Sequence, residues 1–591
     1  MNIVGLHGAV GWNPLNYIKL NKQYEKHDHW LHESGCAIIK NGEFVGSILE
    51  ERVSRQKYDG RFPVNSINYC LKLSNLKNID IDLVILSTNC VHLFNKNLES
   101  RLTHNLILTF FPNANIRIID HHLCHAASAV FTSNFSESDI LTIDGAGSTI
   151  NLPEYVVANN FNLGYFSETK SKLRLYYAQI GERLNNFGTW YSLSSIETLR
   201  KKRQEMGIPN MDFVLDREGA PGKVMGLSAY SNKNKEYEKC LSEAIKNRFM
   251  AEHQIEATTL KYNDFPLAHH FFKLTGRPDQ ILANFLLPPS FSAEDSAAYL
   301  QFGFNMSMLL FIYGAYQNQF LENNVCFAGG TFLNVIANSI IRKTGLFNQI
   351  HIPPYTSDCG LAIGAALYGA WMNKIKTKFP KNIALLGKQY TKEEIYSALF
   401  ESGVEFEYYE DFKELCNITA KKIDDNKIVA WFQGRSECGP RALGSRSILM
   451  SPKHSSNKDL LNLRVKHREY WRPFAGAILR DYVTDYFEED WDSPYMLYSF
   501  TTKFNVRDDI PAINHVDNSC RVQTITEELF PEFYDLLTSV HKVSGIPIVL
   551  NTSFNDNGEP IVESPKDAIE AFLKMDIDML VIGNYIVRKN V

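Results

Sequence analysis

The sequence predicts an α/β protein of at least two domains. Short runs rich in β-branched and apolar residues alternate with longer helical patterns along the chain, which is typical of α/β folds. The length of 591 residues is several times that of a usual domain. A basic, proline-containing and weakly periodic stretch at 374–388 predicts the main boundary, which divides residues 1–385 from residues 386–591.

The composition and charge of the chain argue against several classes of protein. The chain is 45% hydrophobic and carries 61 basic against 66 acidic residues, so its net charge of -5 argues against wholesale binding to nucleic acid or to an anionic membrane. Ten cysteines are scattered without a CxxC pair, which argues against a disulfide framework and a thiolate zinc site. The start of the chain has no basic signal region, and no stretch approaches the roughly 18 apolar residues of a membrane span. We therefore expect a cytoplasmic protein.

The first strands are predicted by a hairpin pattern. The run at 2–6 is strand-like, and after a polar, aromatic insertion the apolar runs at 35–39 and 44–49 flank Asn41-Gly42. Asn-Gly between apolar runs predicts a two-residue hairpin, because both turn positions need a positive φ. Ser292 and Asp295 form a capping-box pattern that opens a long apolar helix through Phe320. Further strands are predicted at 83–87, 116–119, 140–144, 325–328, 428–432, 546–550 and 579–582.

Two histidines and two aspartates form the first candidate site. His121 and His125 are four residues apart where a predicted strand gives way to a helix, so both imidazoles lie on one helical face and can share a metal ion. Asp144 ends a strand before a glycine turn, and Asp358 opens a Gly/Ala-rich helix. Two imidazoles with carboxylates suit Zn, Fe or Mn. The same residues also fit a polar helix start, or carboxylates that bind Mg²⁺ or cap helices.

Glycines between these aspartates predict a close approach of the backbone to an anion. Gly329 and Gly330 follow a predicted strand and precede a helix, whose N-terminus can stabilise a phosphate. A Gly-Gly pair is also a common structural turn. The segment 222–230, which contains Lys223, is a second compact Gly/Lys region, and its pattern alone does not define its chemistry.

Cationic side chains concentrate in the C-terminal third of the chain. They stand among Gly, Pro and aromatic residues, and they include Arg435, Arg441, Arg446, Lys466, Arg468, Arg472 and Arg521. Such a density in a net acidic chain predicts recognition of a compact polyanion, because guanidinium groups bind phosphate oxygens bidentately. A solvated basic face or an RNA patch is the alternative. The small polar residues Asn551, Ser553 and Asn555 are expected just after the strand at 546–550, at a strand end where α/β proteins usually bind ligands.

Taken together, the motifs resemble a known family, the NodU/TobZ-type O-carbamoyltransferases that modify Nod factors, aminoglycosides and other natural products. The motifs recur in family order across nearly the whole chain, and they lie at 32–35, 49–55, 121–125, 144–147, 223–227, 328–330, 439–444, 472–474 and 551–554. The resemblance implies an N-terminal actin-like ATPase (Kae1-like) domain followed by a C-terminal YrdC-like α/β domain.

In such enzymes the YrdC-like domain converts carbamoyl phosphate and ATP, which is expected to act with Mg²⁺, into carbamoyl adenylate. The Kae1-like domain then transfers the carbamoyl group to a hydroxyl group of a small molecule and releases AMP. A mixed anhydride with AMP has a good leaving group, whereas a carbamate is a poor electrophile. An anion pocket and a metal site are therefore the two sites that the reaction needs.

Carried over by matching motifs, the resemblance assigns roles to individual residues. The metal ligands would be His121, His125, Asp144 and Asp358, with Fe as the family-like ion and Zn or Mn as alternatives. The adenylate would contact Lys223, Gly329, Gly330 and Asn334. Carbamoyl phosphate and the ATP phosphates would be held by Arg441, Lys466, Arg472, Arg521, Asn551 and Ser553, among which Lys466, Arg472 and Arg521 would be catalytic. His32 would help to deprotonate the acceptor hydroxyl group.

The chain departs from the family pattern at three positions near these motifs. Glu33 stands where the family usually has Asp, Ser148 where it has an acidic residue, and Cys438 where it has Phe. We expect these differences to change the fine geometry of the ligating residues but not the type of reaction. The inserted segment at 11–30 precedes His32, and we expect it to shape the choice of acceptor.

Two other functions compete with this interpretation. A tRNA threonylcarbamoyl-type modification enzyme should have an extended basic surface, whereas most basic residues here lie inside motifs. A non-catalytic nucleotide-sensing scaffold need not keep both a metal motif and a phosphate motif. The expected partners are carbamoyl phosphate, ATP and a hydroxylated small-molecule acceptor, without nucleic acid or membrane, and a homodimer is one possible assembly.

Overall fold

The computed structural model describes residues 1–8, 33–88, 98–144, 149–151, 156–170, 172–182, 187–207, 220–236, 239, 291–317, 321 and 323–589. His32, Ser148 and the insertion at 11–30 lie outside the described residues, so the predictions made for them stay predictions.

The chain divides into two compact units. Unit 1 comprises the described residues within Met1–Gly8, Leu31–Asp82 and Ala370–Val591, and unit 2 comprises those within Leu83–Gly369. The boundary expected near residue 385 lies inside unit 1. That boundary concerns the division into family domains, and it remains a prediction.

The strands follow one another along both units. In chain order they are β1 Asn2–His7, β2 Gly35–Lys40, β3 Glu43–Leu49, β4 Leu83–Thr88, β5 Asn115–Asp120, β6 Glu137–Ile143, β7 Thr149–Asn151, β8 Val156–Ser167, β9 Lys172–Glu182, β10 Asn324–Ala328, β11 Gln349–His351, β12 Leu385–Gln389, β13 Phe406–Tyr408, β14 Val429–Phe432, β15 Arg435–Glu437, β16 Arg446–Met450, β17 Ala475–Leu479, β18 Ser499–Thr501, β19 Ser519–Ile525, β20 Ile548–Ser553, β21 Met579–Ile582 and β22 Tyr585–Arg588.

The α-helices alternate with these strands, as the sequence predicts. In chain order they are α1 Glu50–Ser54, α2 Val64–Ser74, α3 Leu98–Phe110, α4 His121–Val130, α5 Phe187–Glu205, α6 Ala220–Ser228, α7 Ala293–Gln317, α8 Val335–Lys343, α9 Leu361–Met372, α10 Lys392–Ser402, α11 Phe412–Asp424, α12 Ser456–Leu460, α13 Val483–Tyr486, α14 Pro531–Ser544 and α15 Pro565–Lys574. The α/β class is therefore confirmed. Among the described helices, none combines the length and the apolar character that crossing a membrane requires.

Unit 1 is built around a nine-stranded mixed sheet with the order β13-β22-β21-β14-β16-β20-β17-β19-β18. Its core packs the fully buried Trp431 of β14 with apolar side chains of α11 and α14, such as Leu415 and Leu537. Burial of such large apolar side chains is the main favourable term in folding. The core leaves the polar ends of β19 and β20 available to hold functional side chains.

The N-terminal hairpin of unit 1 forms as predicted. Strands β2 and β3 pair antiparallel, and Asn41 and Gly42 connect them with φ values of 50° and 83°. Both turn residues therefore have the positive φ that selects Asn-Gly at this position.

Unit 2 contains a sheet in which β10 lies between β11 and β6, with both pairs parallel. Strand β6 also pairs antiparallel with β8, which pairs with β7 and β9. Strands β4 and β5 pair parallel. The helix predicted from Ser292 is α7, and Ser292 Oγ accepts a hydrogen bond from the Asp295 amide at 3.0 Å. The carboxyl ends of β6 and β10 lie side by side, and this edge carries the first candidate site.

The sequence prediction was wrong about the end of β20. The strand continues through Ser553, because Asn551–Ser553 pair with Ser447–Leu449 of β16. Asn551 and Ser553 therefore lie inside the strand, while Asn555 follows it. No glycine or proline interrupts the run, so the ladder of hydrogen bonds extends past the apolar segment.

Candidate active site

Helix α4 presents both histidines of the first site. The Asp120 carboxylate caps the helix by accepting a hydrogen bond from the Leu123 amide at 3.1 Å, which fixes the first turn. His121 and His125 are both fully buried. Their Nε2 atoms lie 3.1 Å apart, because residues four apart share one face of the helix.

The two aspartates face the same pair of nitrogen atoms. His121 Nε2 lies 3.0 Å from Asp144 Oδ2 and 3.4 Å from Asp358 Oδ1, and His125 Nε2 lies 3.4 Å from Asp358 Oδ1. One ligand atom from each of the four residues falls within 4.8 Å of the other three. The structure thus brings together the four residues that the sequence analysis selected from three separate segments.

Asp144 is held in place by a glycine turn. Its Oδ1 atom accepts a hydrogen bond from the Gly330 amide at 2.9 Å, which leaves Oδ2 to face His121. Gly329 has a φ of 103°, and a Cβ atom there would lie 2.0 Å from the Ile143 carbonyl oxygen. The close approach of β6 and β10 therefore requires the Gly-Gly pair, whether or not the pair also contacts a ligand.

Asp358 is positioned by a second close approach. It begins a single helical turn at Asp358–Gly360, which leads into α9. A Cβ atom on Gly364 of α9 would lie 1.9 Å from the Cys124 carbonyl oxygen of α4. Since the two helix backbones meet directly, Asp358 reaches the histidines from the neighbouring helix.

The electrostatics of this set favour a bound cation. Burial acts to lower the pKa of His125, but the hydrogen bonds and charges of Asp144 and Asp358 outweigh it and raise that pKa to about 9. Burial acts to raise the pKa of Asp144, whereas His121 and His125 hold it well below its usual range. The buried carboxylates thus stabilise positive charge at this point. Two imidazole nitrogens and two carboxylate oxygens can hold a divalent transition metal.

Asn334 lies near this site, on the turn that follows Gly330. It caps α8 by accepting a hydrogen bond from the Ala337 amide at 3.1 Å, and its side chain also contacts Gln301 of α7. Tyr191 donates a hydrogen bond to the same Gln301. Lys223 lies half-buried on α6, which packs against α5 and α7.

The second candidate site is a cluster of buried and half-buried cations in unit 1, which we call the cation pocket. It contains Arg441, Lys466, Arg468, Arg472 and Arg521. Burial and the charge of Arg472 lower the pKa of Arg441 to about 10. Burial, Arg441 and Arg472 hold the pKa of Arg521 well below its usual range. The guanidinium groups therefore lie close enough to repel one another.

Nearby carboxylates offset this repulsion only in part. Burial and the neighbouring cations lower the pKa values of Arg468 and Lys466 despite the opposing charges of Glu469 and Asp556, and Arg472 lies 3.9 Å from Glu469. The Nε atoms of Arg441 and Arg521 are buried without a hydrogen-bond partner among the described residues. Because buried like charges without acceptors are costly, this arrangement is suited to an anionic ligand.

Lys466 joins the pocket to the end of β20. Its Nζ atom donates to the carbonyl oxygens of Ser553 at 2.6 Å and Asn555 at 2.7 Å, and it lies 3.3 Å from Ser553 Oγ. Burial, followed by the charges of Arg468, Lys57 and Arg472, holds the pKa of Lys466 well below its usual range. Lys466 and Ser553 are thus one unit of the pocket.

Asn551 and Arg521 lie in one row across the sheet. Both are register partners of Ala475 on β17, one from each neighbouring strand. Two strand spacings of roughly 5 Å separate their backbones, and the small alanine lies between them. Asn551 also donates to Gln523 Oε1 at 2.9 Å. The row places the amide of Asn551 and the guanidinium group of Arg521 on the two strands that flank Ala475.

The sequence analysis missed the contribution of the N-terminal segment to this pocket. Lys57 Nζ donates to the Glu559 carbonyl oxygen at 3.1 Å and lies near Lys466, while Tyr58 lies near Arg441. Arg55 donates to the carbonyl oxygens of Ile561 and Pro560. The family motif at 49–55 ends just before Lys57, so only the tertiary contacts reveal this residue.

Comparison with known proteins defines the class of this protein. The family model described as "Carbamoyltransferase N-terminus" matches residues 26–104 and 91–367, and the model described as "Carbamoyltransferase C-terminus" matches residues 420–589. The two models together cover most of the chain, including the four residues of the first site and all members of the cation pocket.

Similar proteins extend over nearly the full length. Protein sll1178 of Synechocystis sp. is 30% identical over 95% of each chain, and the nodulation protein NolNO of Sinorhizobium fredii is 28% identical over 100% of this chain and 83% of its own. A crystal structure of HypF from T. kodakarensis matches with 14% identity and a TM-score of 0.31, over 64% of this chain and 48% of that chain. The chain is thus a group-transfer enzyme. It belongs to the carbamoyltransferase family.

Proposed function

We propose that the enzyme activates carbamoyl phosphate with ATP and transfers the carbamoyl group to a hydroxyl group of a small molecule. Carbamoyl phosphate, ATP and water would give carbamoyl adenylate, pyrophosphate and phosphate. The acceptor hydroxyl oxygen would then form a bond to the carbamoyl carbon, and AMP would leave. The two steps need different sites, one for phosphate groups and one for the anhydride.

The observation that carries this proposal is the pair of half-buried arginines Arg441 and Arg521, whose Nε atoms are buried. Neither Nε atom has a hydrogen-bond acceptor among the described residues. The charge of Arg441 acts to lower the pKa of Arg521, and the charge of Arg521 acts to lower the pKa of Arg468. Carbamoyl phosphate and the triphosphate of ATP are compact polyanions that supply the missing acceptors. Lys466 adds a point charge beside Ser553, where it can stabilise charge that develops on a transferring group.

The set of His121, His125, Asp144 and Asp358 would bind the metal ion, which we expect to be Fe, with Zn or Mn as alternatives. Such an ion would act as a Lewis acid on an oxygen of the anhydride. In this chain the Gly330 amide fixes one carboxylate of the set, and the backbone of the Gly329–Gly330 turn would lie against the adenylate. His32 remains our candidate for the base that accepts the hydroxyl proton.

The direct test is a mass measurement of the products. Purified enzyme is incubated with ATP, Mg²⁺, carbamoyl phosphate and a panel of polar alcohols that includes amino sugars and other hydroxylated metabolites. The proposal predicts a product heavier by one carbamoyl group, together with pyrophosphate and AMP in equal amounts. Carbamoylation without ATP, or release of ADP in place of AMP, would contradict the proposed activation step.

A further inference from the structure

Glu437 is a buried carboxylate that organises the loop beside the cation pocket. It ends strand β15 and is 1% exposed. Its Oε1 atom accepts hydrogen bonds from the amides of Leu443 and Ser445 at 2.8 Å each, and from the amide of Arg446 at 3.0 Å. One carboxylate oxygen thus accepts hydrogen bonds from three backbone N–H groups, and the negative charge of the carboxylate strengthens these bonds.

The loop that these bonds close, 438–445, is anchored along its length. The Cys438 amide donates to the Ala384 carbonyl oxygen at 2.7 Å, and Gln523 Nε2 donates to the Leu443 carbonyl oxygen at 2.8 Å. Gly444 donates to Ser447 Oγ at 3.0 Å. Arg52 donates to the Gly439 carbonyl oxygen at 2.9 Å, and Glu437 accepts from three backbone amides at the far end of the loop.

Arg441 lies in the middle of this loop. Its Nε atom has no hydrogen-bond partner among the described residues, and the neighbouring Arg472 repels it. Its side chain therefore receives little direct orientation from other side chains. The backbone of the loop must set where the guanidinium group points, and Glu437 fixes that backbone.

We propose that Glu437 is a positioning residue, which holds the loop 438–445 so that Arg441 meets the substrate phosphate groups in the cation pocket. The inference rests on the proposed function of the cation pocket and adds a residue that does not touch the substrate. Its effect passes through Arg441, so it should alter the formation of carbamoyl adenylate more than the use of carbamoyl adenylate.

The variant Glu437→Gln tests this role with little change in shape. A neutral amide oxygen accepts the three N–H groups more weakly, and the new NH₂ group would occupy the position of Oε2, which is buried without a partner among the described residues. We expect the KM for carbamoyl phosphate in pyrophosphate release to rise about tenfold, since hydrogen bonds to a charged acceptor contribute more than those to a neutral one. The rate of carbamoyl transfer from added carbamoyl adenylate should stay within about twofold.

Glu489→Gln is the matched control. Glu489 is a buried carboxylate of the same unit, and it accepts from the Thr501 amide at 2.6 Å and from Thr501 Oγ1 at 3.0 Å. Its substitution should lower the melting temperature without changing the KM for carbamoyl phosphate. Ser447→Ala provides a milder variant that loosens the same loop at Gly444, and it should raise the KM for carbamoyl phosphate in the same direction. This second variant keeps the test valid if Glu437→Gln does not fold.

A double-mutant cycle shows whether the effect passes through Arg441. In an Arg441→Lys background, Glu437→Gln should cause less than about a threefold further rise in the KM for carbamoyl phosphate, because coupled residues are not additive. Equal rises in both backgrounds, or a parallel loss of carbamoyl transfer from added carbamoyl adenylate, would overturn the inference. If the wild-type enzyme released no pyrophosphate with carbamoyl phosphate, the proposed function itself would fail, so the two failures are distinguishable.

Discussion

The Nε2 atoms of His121 and His125 lie 3.1 Å apart, and both face the carboxylates of Asp144 and Asp358. At this distance the two rings either share a proton or turn their lone pairs toward one cation. The carboxylates come from the ends of two separate segments, so the arrangement depends on tertiary structure as well as on the spacing within α4.

This geometry predicts that the metal is lost when one ligand is removed. The purified wild-type enzyme should contain close to one transition-metal ion per chain, and His121→Ala or Asp144→Ala should reduce that content at least about tenfold, because each ligand contributes several kcal/mol. Elemental analysis by mass spectrometry measures the content. His104→Ala, which changes an exposed histidine of the same unit, should retain the metal. Full transfer activity in a metal-free enzyme would contradict the assignment.

The close approach of β6 and β10 predicts a steric effect at Gly329. Gly329→Ala would place Cβ 2.0 Å from the Ile143 carbonyl oxygen, next to Asp144. We expect a loss of stability of about 3 kcal/mol or more and a lower metal content, because the backbone must move. Gly345→Ala is the matched control, since it also has a positive φ but has no atom near the new Cβ. It should cost only about 1–2 kcal/mol in chemical denaturation. Equal losses in the two variants would show that contact with Ile143 is unimportant.

The lack of acceptors around Arg521 predicts a large effect on activation. Arg521→Ala should reduce carbamoyl phosphate-dependent pyrophosphate release at least about 100-fold, which corresponds to roughly 2.7 kcal/mol of lost stabilisation. Arg480→Ala is the control, because Arg480 on the surface of unit 1 is already paired with Asp490 and Asp492. The rate of pyrophosphate release by this variant should stay within about twofold of the wild-type rate. A coupled phosphate assay with pyrophosphatase measures both rates. Similar rates in the wild type and in Arg521→Ala would contradict the pocket assignment.

Local patterns predicted much of this architecture. The Asn41-Gly42 turn, the cap at Ser292 and the strands at 325–328 and 579–582 depend on neighbouring residues, and the structure has each of them close to the predicted position. The end of β20 was misplaced because its extension depends on pairing with β16, a partner about 100 residues away in sequence.

The sites were predicted less completely than the strands. Spacing indicated that His121 and His125 share a helical face, and residue types added Asp144 and Asp358 as candidate metal ligands, but only the resemblance favoured this interpretation over a polar helix start. Lys57 was missed because its relation to Lys466 arises from the packing of 33–82 on the C-terminal part of unit 1. Glu437 was visible as a residue of the arginine-rich segment, yet its three backbone contacts cannot be inferred from residue types.

The two half-reactions are proposed to use separate sites. Supplied carbamoyl adenylate bypasses the first half-reaction, so it distinguishes a defect in one site from a defect in the other. Arg521→Ala and His125→Ala are each compared with the wild type, with carbamoyl phosphate plus ATP or with freshly prepared carbamoyl adenylate. Folding and metal content are checked for each protein before the assay. The labile intermediate is added immediately before an acceptor identified in the product screen.

We predict opposite defects in the two variants. Arg521→Ala should fail with carbamoyl phosphate but carbamoylate the acceptor from supplied adenylate at a rate within about threefold of the wild type, because its His121, His125, Asp144 and Asp358 set is unchanged. His125→Ala should release pyrophosphate but form no carbamoylated product from either source. A folded, metal-containing Arg521→Ala enzyme that cannot use fresh adenylate would contradict the account.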